Sequence, residues 1–167
     1  GELTTAEGRA LIEDLAQYGA PVLLFSGGEP TMREDLVELL TLATARGLRA
    51  VISTNGTLIT PDMARDMKRA GVVYVGVSLD GVGETHDRFR GKKGAFQEAL
   101  SGLANAREAG LRTGIRFTIT RFNNSYVAEI CRLLEEEAID RLCLYHLVYA
   151  GRGSHLVSWD LTPVERR

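Results

Sequence analysis

The sequence is poor in cysteine, has no excess of charge of either sign and contains no long apolar run. Its two cysteines, Cys131 and Cys143, are too few for a disulfide framework, which favours the cytoplasm as its location. The 20 Lys and Arg residues nearly balance the 22 Asp and Glu residues, so nothing indicates a nucleic-acid partner. No apolar segment approaches the length of a membrane span, and no signal-peptide pattern opens the sequence. We therefore expect neither a membrane nor a nucleic acid as partner.

What the sequence does contain is a regular alternation of helix and strand signals. A hydrophobic content of 44% and a length of 167 residues are typical of one globular domain. Apolar periodicity predicts helices between short, nearly continuous apolar strands, an alternation that is typical of a parallel sheet covered by helices. The five predicted strands are residues 22–25, 48–52, 72–77, 111–120 and 142–149.

Local signals predict where helices begin and where loops lie. Thr4 and Glu7 match a capping box, which places a helix start at Thr4. The same spacing recurs at Thr31 and Glu34 and predicts a second helix start there. Residues 82–93 are polar and are predicted to be a loop.

Polar motifs follow the first three predicted strands. They are FSGGEP at residues 25–30, STNG at 53–56 and SLDG at 78–81. The adjacent glycines of the first motif permit close backbone approach, and Glu29 suits an ammonium group, although an ordinary glycine-rich turn has the same composition. Right-handed crossovers bring the carboxyl ends of parallel strands to one rim, where α/β folds bind ligands. This rim is predicted to gather Glu29, Asn55, Asp80, Arg121 and His146.

The fourth predicted strand, residues 111–120, has one polar and one apolar face. Arg116 and Thr118 lie on the polar face, and Ile115 and Phe117 lie on the other. A parallel strand that is buried on both sides is apolar throughout, so a polar face predicts a wet or ligand-filled cavity. An edge strand with one solvated face is the alternative.

Together and in this order, the three polar motifs resemble those of the radical S-adenosylmethionine (SAM) enzymes. The segment THDRFRG at residues 85–91 is similar to a pattern in members with a C-terminal auxiliary-cluster domain of the SPASM type. Residues 143–153 resemble the tetrapyrrole-maturing branch, which serves haem d1 and alternative haem biosynthesis. The resemblance covers about residues 1–153.

The resemblance implies a fold and an activity. The fold is α/β, a partial (β/α)6 TIM-like barrel, whose core we expect at residues 1–153, with residues 154–167 starting a linker to a further domain. We expect the first barrel strand before Gly1 and hence a longer parent protein. There, the resemblance implies that a reduced [4Fe–4S] cluster would cleave SAM and that the resulting 5′-deoxyadenosyl radical would abstract a hydrogen from the substrate. A tetrapyrrole side chain is favoured over a peptide as that substrate. The expected electron donor is a ferredoxin or flavodoxin.

The resemblance also assigns ligand roles. It implies that the glycine-rich turn binds the amino group of SAM, and that the next two motifs face its ribose and methionine parts. It further implies that Arg116 pairs with a carboxylate of SAM or of the substrate. An ammonium group prefers a carboxylate, and hydroxyl groups need small polar partners. The predicted SAM-binding residues are Gly27, Gly28, Glu29, Pro30, Ser53, Asn55, Ser78, Asp80 and Arg116.

Other polar residues near the motifs have weaker assignments. Arg88 and Arg90 are further ligand candidates, and a solvated loop explains them equally well. His86, Tyr145 and His146 are able to donate protons, but a structural role is favoured for each. No residue of the chain is assigned a catalytic role.

The sequence departs from the family in one large respect, because the Cys-x3-Cys-x2-Cys cluster motif is absent. Cys131 is predicted to be a core residue on an apolar helix face, and Cys143 and His146 fall on opposite faces of a strand. We expect the cluster ligands upstream of Gly1 and an inactive isolated chain. A peptide-modifying radical SAM enzyme, a non-catalytic SAM- or nucleotide-binding module and an ordinary barrel enzyme are the alternatives.

Overall fold

The computed structural model describes residues 2–149, 156–162 and 164. Within them the strands are β1 Val22–Phe25, β2 Arg49–Thr54, β3 Tyr74–Ser78, β4 Arg112–Ile119 and β5 Arg141–His146. The helices are α1 Thr5–Tyr18, α2 Leu36–Ala45, α3 Pro61–Arg69, α4 Glu84–Arg90, α5 Ala95–Glu108 and α6 Val127–Glu136. Short 3-10 turns lie at Pro30–Met32 and Asn124–Tyr126.

The five strands form one parallel sheet in the order β1-β2-β3-β4-β5. Strands that follow one another in the sequence lie next to one another in the sheet. A series of right-handed β-helix-β crossovers that all advance in the same direction produces this order. The predicted α/β fold, a partial TIM-like barrel, is confirmed. All strand carboxyl ends therefore lie at one rim.

The register gives the two faces of the sheet different chemistry. Ile52 pairs with Val75, and both are fully buried beneath the helices. The next pair along the same strands is Ser53 with Gly76, on the opposite face. Arg116 follows on that face, beside Ser78. One face of the sheet is thus the hydrophobic core, and the other carries the polar groups that the sequence placed there.

Helix starts agree with the capping signals only in part. The capping box of Thr4 with Glu7 is confirmed, since each side chain bonds the backbone of the other. The second predicted capping box is wrong. Thr31 lies in a 3-10 turn, and α2 begins only at Leu36. The reason is a competing contact, because both the backbone N–H and the hydroxyl of Thr31 donate to Glu29.

The predicted loop at residues 82–93 contains the helix α4. This helix has seven residues, too few for an apolar periodicity to be visible. Its stability comes from outside its own sequence. The Asp87 carboxylate accepts hydrogen bonds from the N–H groups of Gly94 and Phe96 at 2.6 and 2.8 Å, which ties α4 to the start of α5.

Two burial predictions are wrong. β1 is not a buried strand, because Val22 and Leu24 are 44% and 46% exposed, and within the described chain β1 pairs only with β2. Cys131 is exposed rather than a core residue. α6 buries Ile130 and Leu133, and successive residues on a helix point about 100° apart, which turns Cys131 outward.

Residues 156–162 pack against the rest of the fold. The Trp159 ring contacts the rings of Phe89 and Phe122 at centroid distances of 5.8 and 4.8 Å. The predicted core boundary at residue 153, with its Gly151 and Gly153, lies outside the described residues and stays a prediction. Among the described residues, no helix has both the length and the apolar character that a membrane crossing requires.

Candidate functional site

A cavity of about 940 Å³ opens at the carboxyl ends of the strands. This volume is at the upper end of the roughly 300–1,000 Å³ that is typical of ligand pockets. Of the nine predicted SAM-binding residues, the structure brings eight together on its wall, and Pro30 is buried behind it. The eight are Gly27, Gly28, Glu29, Ser53, Asn55, Ser78, Asp80 and Arg116.

Glu29 is the anchor of the first motif. Its Oε1 accepts hydrogen bonds from the N–H of Thr31 at 3.1 Å, the hydroxyl of Thr31 at 2.6 Å and the hydroxyl of Thr54 at 2.5 Å. Its Oε2 accepts one, from the N–H of Asn55 at 2.7 Å. A carboxylate has about four acceptor sites, two on each oxygen, so Oε1 is fully used and Oε2 keeps capacity for a ligand. The carboxylate also locks the end of β1 to the end of β2.

The two glycines before Glu29 leave the backbone of the turn accessible. Gly27 has a φ of 142°, a conformation that L side chains rarely adopt. A Cβ at Gly27 or Gly28 would meet no protein atom within 4 Å, so neither glycine is required by packing. Both glycines are exposed and line the same cavity as Glu29.

Thr54 is a site residue that the sequence analysis missed. It is buried between the two predicted residues Ser53 and Asn55, donates to Glu29 and accepts from the Gly56 N–H at 3.0 Å. The only indication in the sequence was that a residue with a hydroxyl group falls on the apolar face of β2. The neighbouring Asn55 accepts through Oδ1 from the N–H and hydroxyl of Thr57, both at 2.8 Å. Its amide NH2 group is then the part available to a ligand.

At the end of β3, Asp80 is only 2% exposed and pairs with Arg90 at 2.6 Å. Its other oxygen accepts from the Thr118 N–H at 3.2 Å. Burial raises the pKa of the Asp80 carboxyl, and the charge of Arg90 opposes this. Arg90 also donates to the carbonyl of Ser78 at 3.3 Å. The structure thus gives Arg90 a definite place in the cavity wall, whereas Arg88 does not line the cavity.

His86 supports the Asp80 turn from behind. It is 1% exposed, and its Nδ1 accepts a hydrogen bond from the Asp80 N–H at 3.1 Å. In the neutral ring the proton is therefore on Nε2. Burial, followed by the charge of Arg90, lowers the pKa of His86 to about 4. The ring is neutral at pH 7, as the acceptor role of Nδ1 requires.

This arrangement predicts a loss of stability in mild acid. The unfolded chain takes up a proton on His86 near pH 6.5, and the folded chain does so only near pH 4. The free energy of unfolding should therefore fall by about 2 kcal/mol between pH 7 and pH 5, measured by urea denaturation.

The matched variant is His86→Gln, whose carbonyl can replace Nδ1 as acceptor but does not titrate. The free energy of unfolding of this variant should not show the fall expected for the unmodified protein. The raised pKa of Asp80 makes the free energy of unfolding rise as the pH falls, the opposite of the His86 effect, but it is present in both proteins. Parallel pH profiles would contradict the assignment of a neutral, buried His86.

Arg116 brings a cation into the cavity. Its guanidinium carbon lies 4.5 Å from the centre of the Tyr145 ring, a cation–π contact. Gly76 on the neighbouring strand makes room for its stem, because a Cβ there would lie 2.9 Å from the Arg116 Cδ. Among the described residues, no carboxylate forms an ion pair with Arg116. The arrangement suits an anionic ligand.

The rim prediction holds for four of its five residues. Glu29, Asn55, Asp80 and His146 line the cavity, but Arg121 does not. The Arg121 backbone N–H instead donates to the Trp159 carbonyl at 2.8 Å. The described part of the chain contains no group of three or more His, Cys, Asp or Glu side chains that could hold a metal ion.

The family model described as the radical SAM superfamily matches residues 1–134. The Fe-coproporphyrin III synthase of Methanosarcina barkeri is 60% identical over 166 residues, which are 99% of this chain and 42% of that protein. The pre-heme d1 synthase of Dinoroseobacter shibae is 44% identical over 154 residues, 92% of this chain and 38% of that protein.

Among solved structures, anSMEcpe with bound AdoMet is similar over 99% of this chain and 49% of that one. The TM-score is 0.78 at 19% identity, which supports the fold. This chain spans less than half the length of each of these three proteins. On the family match over residues 1–134, this chain belongs to the radical SAM superfamily.

Proposed function

We propose that this chain is the SAM-binding core of an enzyme that abstracts hydrogen from a tetrapyrrole side chain in haem or haem d1 biosynthesis. The observation that carries the substrate class is the order of the identities. The Fe-coproporphyrin III synthase and the pre-heme d1 synthase are 60% and 44% identical to the chain. A PqqA peptide cyclase of Gluconobacter oxydans is 32% identical, which makes peptide modification the second candidate.

The polar part of the cavity fits SAM. Glu29 and the exposed peptide groups of the glycine turn offer acceptors to an ammonium group. Ser53, Asn55, Ser78 and Asp80 bring small polar groups for the ribose and methionine parts. Arg116 is a cation for the carboxylate of SAM or of the substrate. The residues present therefore offer partners of the required type to the ammonium, carboxylate and ribose groups of the cofactor.

A [4Fe–4S] cluster does not fit the residues of this chain. Such clusters are held by several Cys thiolates, and the chain has two cysteines, one exposed on α6 and one half-buried on β5. A ferredoxin or flavodoxin as electron donor is part of the same proposal.

The contribution of this chain is binding and orientation, because the difficult chemistry belongs to the cofactors. The hydrogen bonds of Glu29 fix the turn against β2, and the ion pair of Arg90 with Asp80 fixes the end of β3. These contacts hold the predicted SAM-binding groups rigid before a ligand arrives, which lowers the cost of binding.

The test measures 5′-deoxyadenosine formation from SAM in the longer protein that we expect to contain this chain, reconstituted without oxygen. An iron tetrapyrrole that still carries the side chains absent from Fe-coproporphyrin III, the product named for the 60% identical relative, should stimulate it, and a PqqA-type peptide should not. Stimulation by the peptide alone would contradict the tetrapyrrole proposal. Binding of SAM without any 5′-deoxyadenosine would support a non-catalytic binding module. Cys131→Ser and Cys143→Ser serve as controls, since both should retain the iron content of the unmodified protein.

A further inference from the structure

The cavity has a second part whose chemistry the SAM assignment does not use. Phe89, Leu147, Val148 and Leu156 line the same cavity as the polar motifs. None of these side chains carries a hydrogen-bond donor or acceptor, and Val148 is 72% exposed. We call these four residues the apolar wall. An exposed apolar surface within a cavity indicates a ligand with an apolar face.

The apolar wall is supported by its own contacts. The Trp159 ring packs between Phe89 and Phe122, and the Trp159 carbonyl accepts from the Arg121 N–H. Beyond it, Leu161 is buried. These contacts fix the segment at residues 156–162, and with it Leu156, beside Phe89. The wall is therefore a packed part of the fold.

The polar and apolar parts of the cavity come from different elements. The polar part is built by the ends of β1, β2 and β3, and the wall by α4, the residues after β5 and Leu156. Arg116 on β4 also lines the cavity, and no described carboxylate pairs with it. The cavity therefore offers both an apolar surface and the cation of Arg116. It complements a molecule that has an apolar face and carboxylate groups.

We infer that the apolar wall binds the flat face of a tetrapyrrole macrocycle, with a carboxylate side chain of the macrocycle directed toward Arg116. The inference rests on the proposed function and names its substrate subsite. A rigid aromatic ring covers apolar side chains at little entropic cost. A peptide backbone has N–H and C=O groups that need partners, and the side chains of the wall offer none.

The test uses metal-free coproporphyrin III as a fluorescent probe with the longer protein, and fluorescence anisotropy gives its Kd. The double variant Val148→Asn with Leu156→Asn should bind the probe about tenfold more weakly, because two apolar contacts are lost. Its Kd for SAM should stay within about twofold, since the polar part of the cavity is unchanged. Val148→Asn alone alters only an exposed side chain, so the fold is kept, and it should weaken probe binding about threefold.

The matched control is Val157→Asn. Val157 is next to Leu156 and 52% exposed, but it does not line the cavity. Its Kd for the probe should equal that of the unmodified protein. Probe binding that survives both wall variants would overturn the wall as the macrocycle subsite. Failure of the unmodified protein to bind the probe, while it binds SAM, would overturn the tetrapyrrole function itself.

Discussion

Replacing Glu29 with alanine is expected to weaken SAM binding by about 100-fold. Two losses combine in this variant. The ammonium group loses a charged acceptor, and the N–H of Asn55 and the hydroxyl of Thr54 lose the carboxylate that joins β2 to the turn. Hydrogen bonds to charged groups contribute about 1.5–3 kcal/mol each, and 100-fold corresponds to about 2.7 kcal/mol.

The measurement is the Kd for SAM in the reconstituted longer protein, with the iron content determined beside it. The iron content should not change, because no cysteine is touched. Glu38→Ala is the matched control, since Glu38 forms an exposed ion pair with Arg9 on the outer surface. An unchanged Kd in Glu29→Ala would remove this residue from the SAM site.

Glu29→Gln separates the two roles of the carboxylate. Three donors converge on Oε1, so the Gln carbonyl should take that position and keep their hydrogen bonds. The amide NH2 group then replaces Oε2, faces the Asn55 N–H and offers no acceptor to an ammonium group. Because the Asn55 N–H then faces a donor, this variant should lose about 1–3 kcal/mol of stability while the three hydrogen bonds to the carbonyl persist, and it should lose SAM affinity if Glu29 also binds the ligand.

Replacing Gly102 with alanine is expected to lower the free energy of unfolding by about 3 kcal/mol. Gly102 lies within α5, where alanine is normally the better residue. Here an added Cβ would lie 2.0 Å from the carbonyl oxygen of Gly56, a backbone atom that no side-chain rotation can move. Either the helix or the turn after β2 must shift.

Urea denaturation of the chain measures the effect, and Gly8→Ala is the matched control. Gly8 is also a buried helical glycine, but its Cβ would meet only the ends of two side chains, Leu39 at 3.4 Å and Arg33 at 3.8 Å. This variant should change the stability by no more than about 1 kcal/mol in either direction. Equal stabilities of the two variants would show that α5 and the turn are not in close contact.

The Gly102 variant should also weaken SAM binding, because Gly56 is hydrogen-bonded to a residue of the candidate site. The Gly56 N–H donates to Thr54, which in turn donates to Glu29. A shift of this turn is therefore transmitted to the anchor of the first motif. A loss of stability with unchanged SAM affinity would show that the movement is taken up by α5 alone.

The sequence by itself determined the architecture and the place of the site. Alternating helical and strand patterns depend on local spacing, which residues carry without reference to distant neighbours. Parallel strands with right-handed crossovers then bring Glu29, Asn55 and Asp80 to one rim whatever the packing details are. The order of the three motifs was enough to indicate the superfamily to which the chain belongs.

Only the tertiary structure decided which polar side chains already have hydrogen-bond partners within the protein and which remain available to a ligand. Thr54 and Glu29 are 25 residues apart and meet because β1 and β2 pair, so no local pattern reports their hydrogen bond. α4 was missed because Asp87 holds it through contacts with the next helix. Cys131 was wrongly predicted to be buried, because the burial of a helical residue depends on which side of the helix packs against the sheet. Side-chain partners in a folded chain are set by packing, and sequence spacing alone does not contain that information.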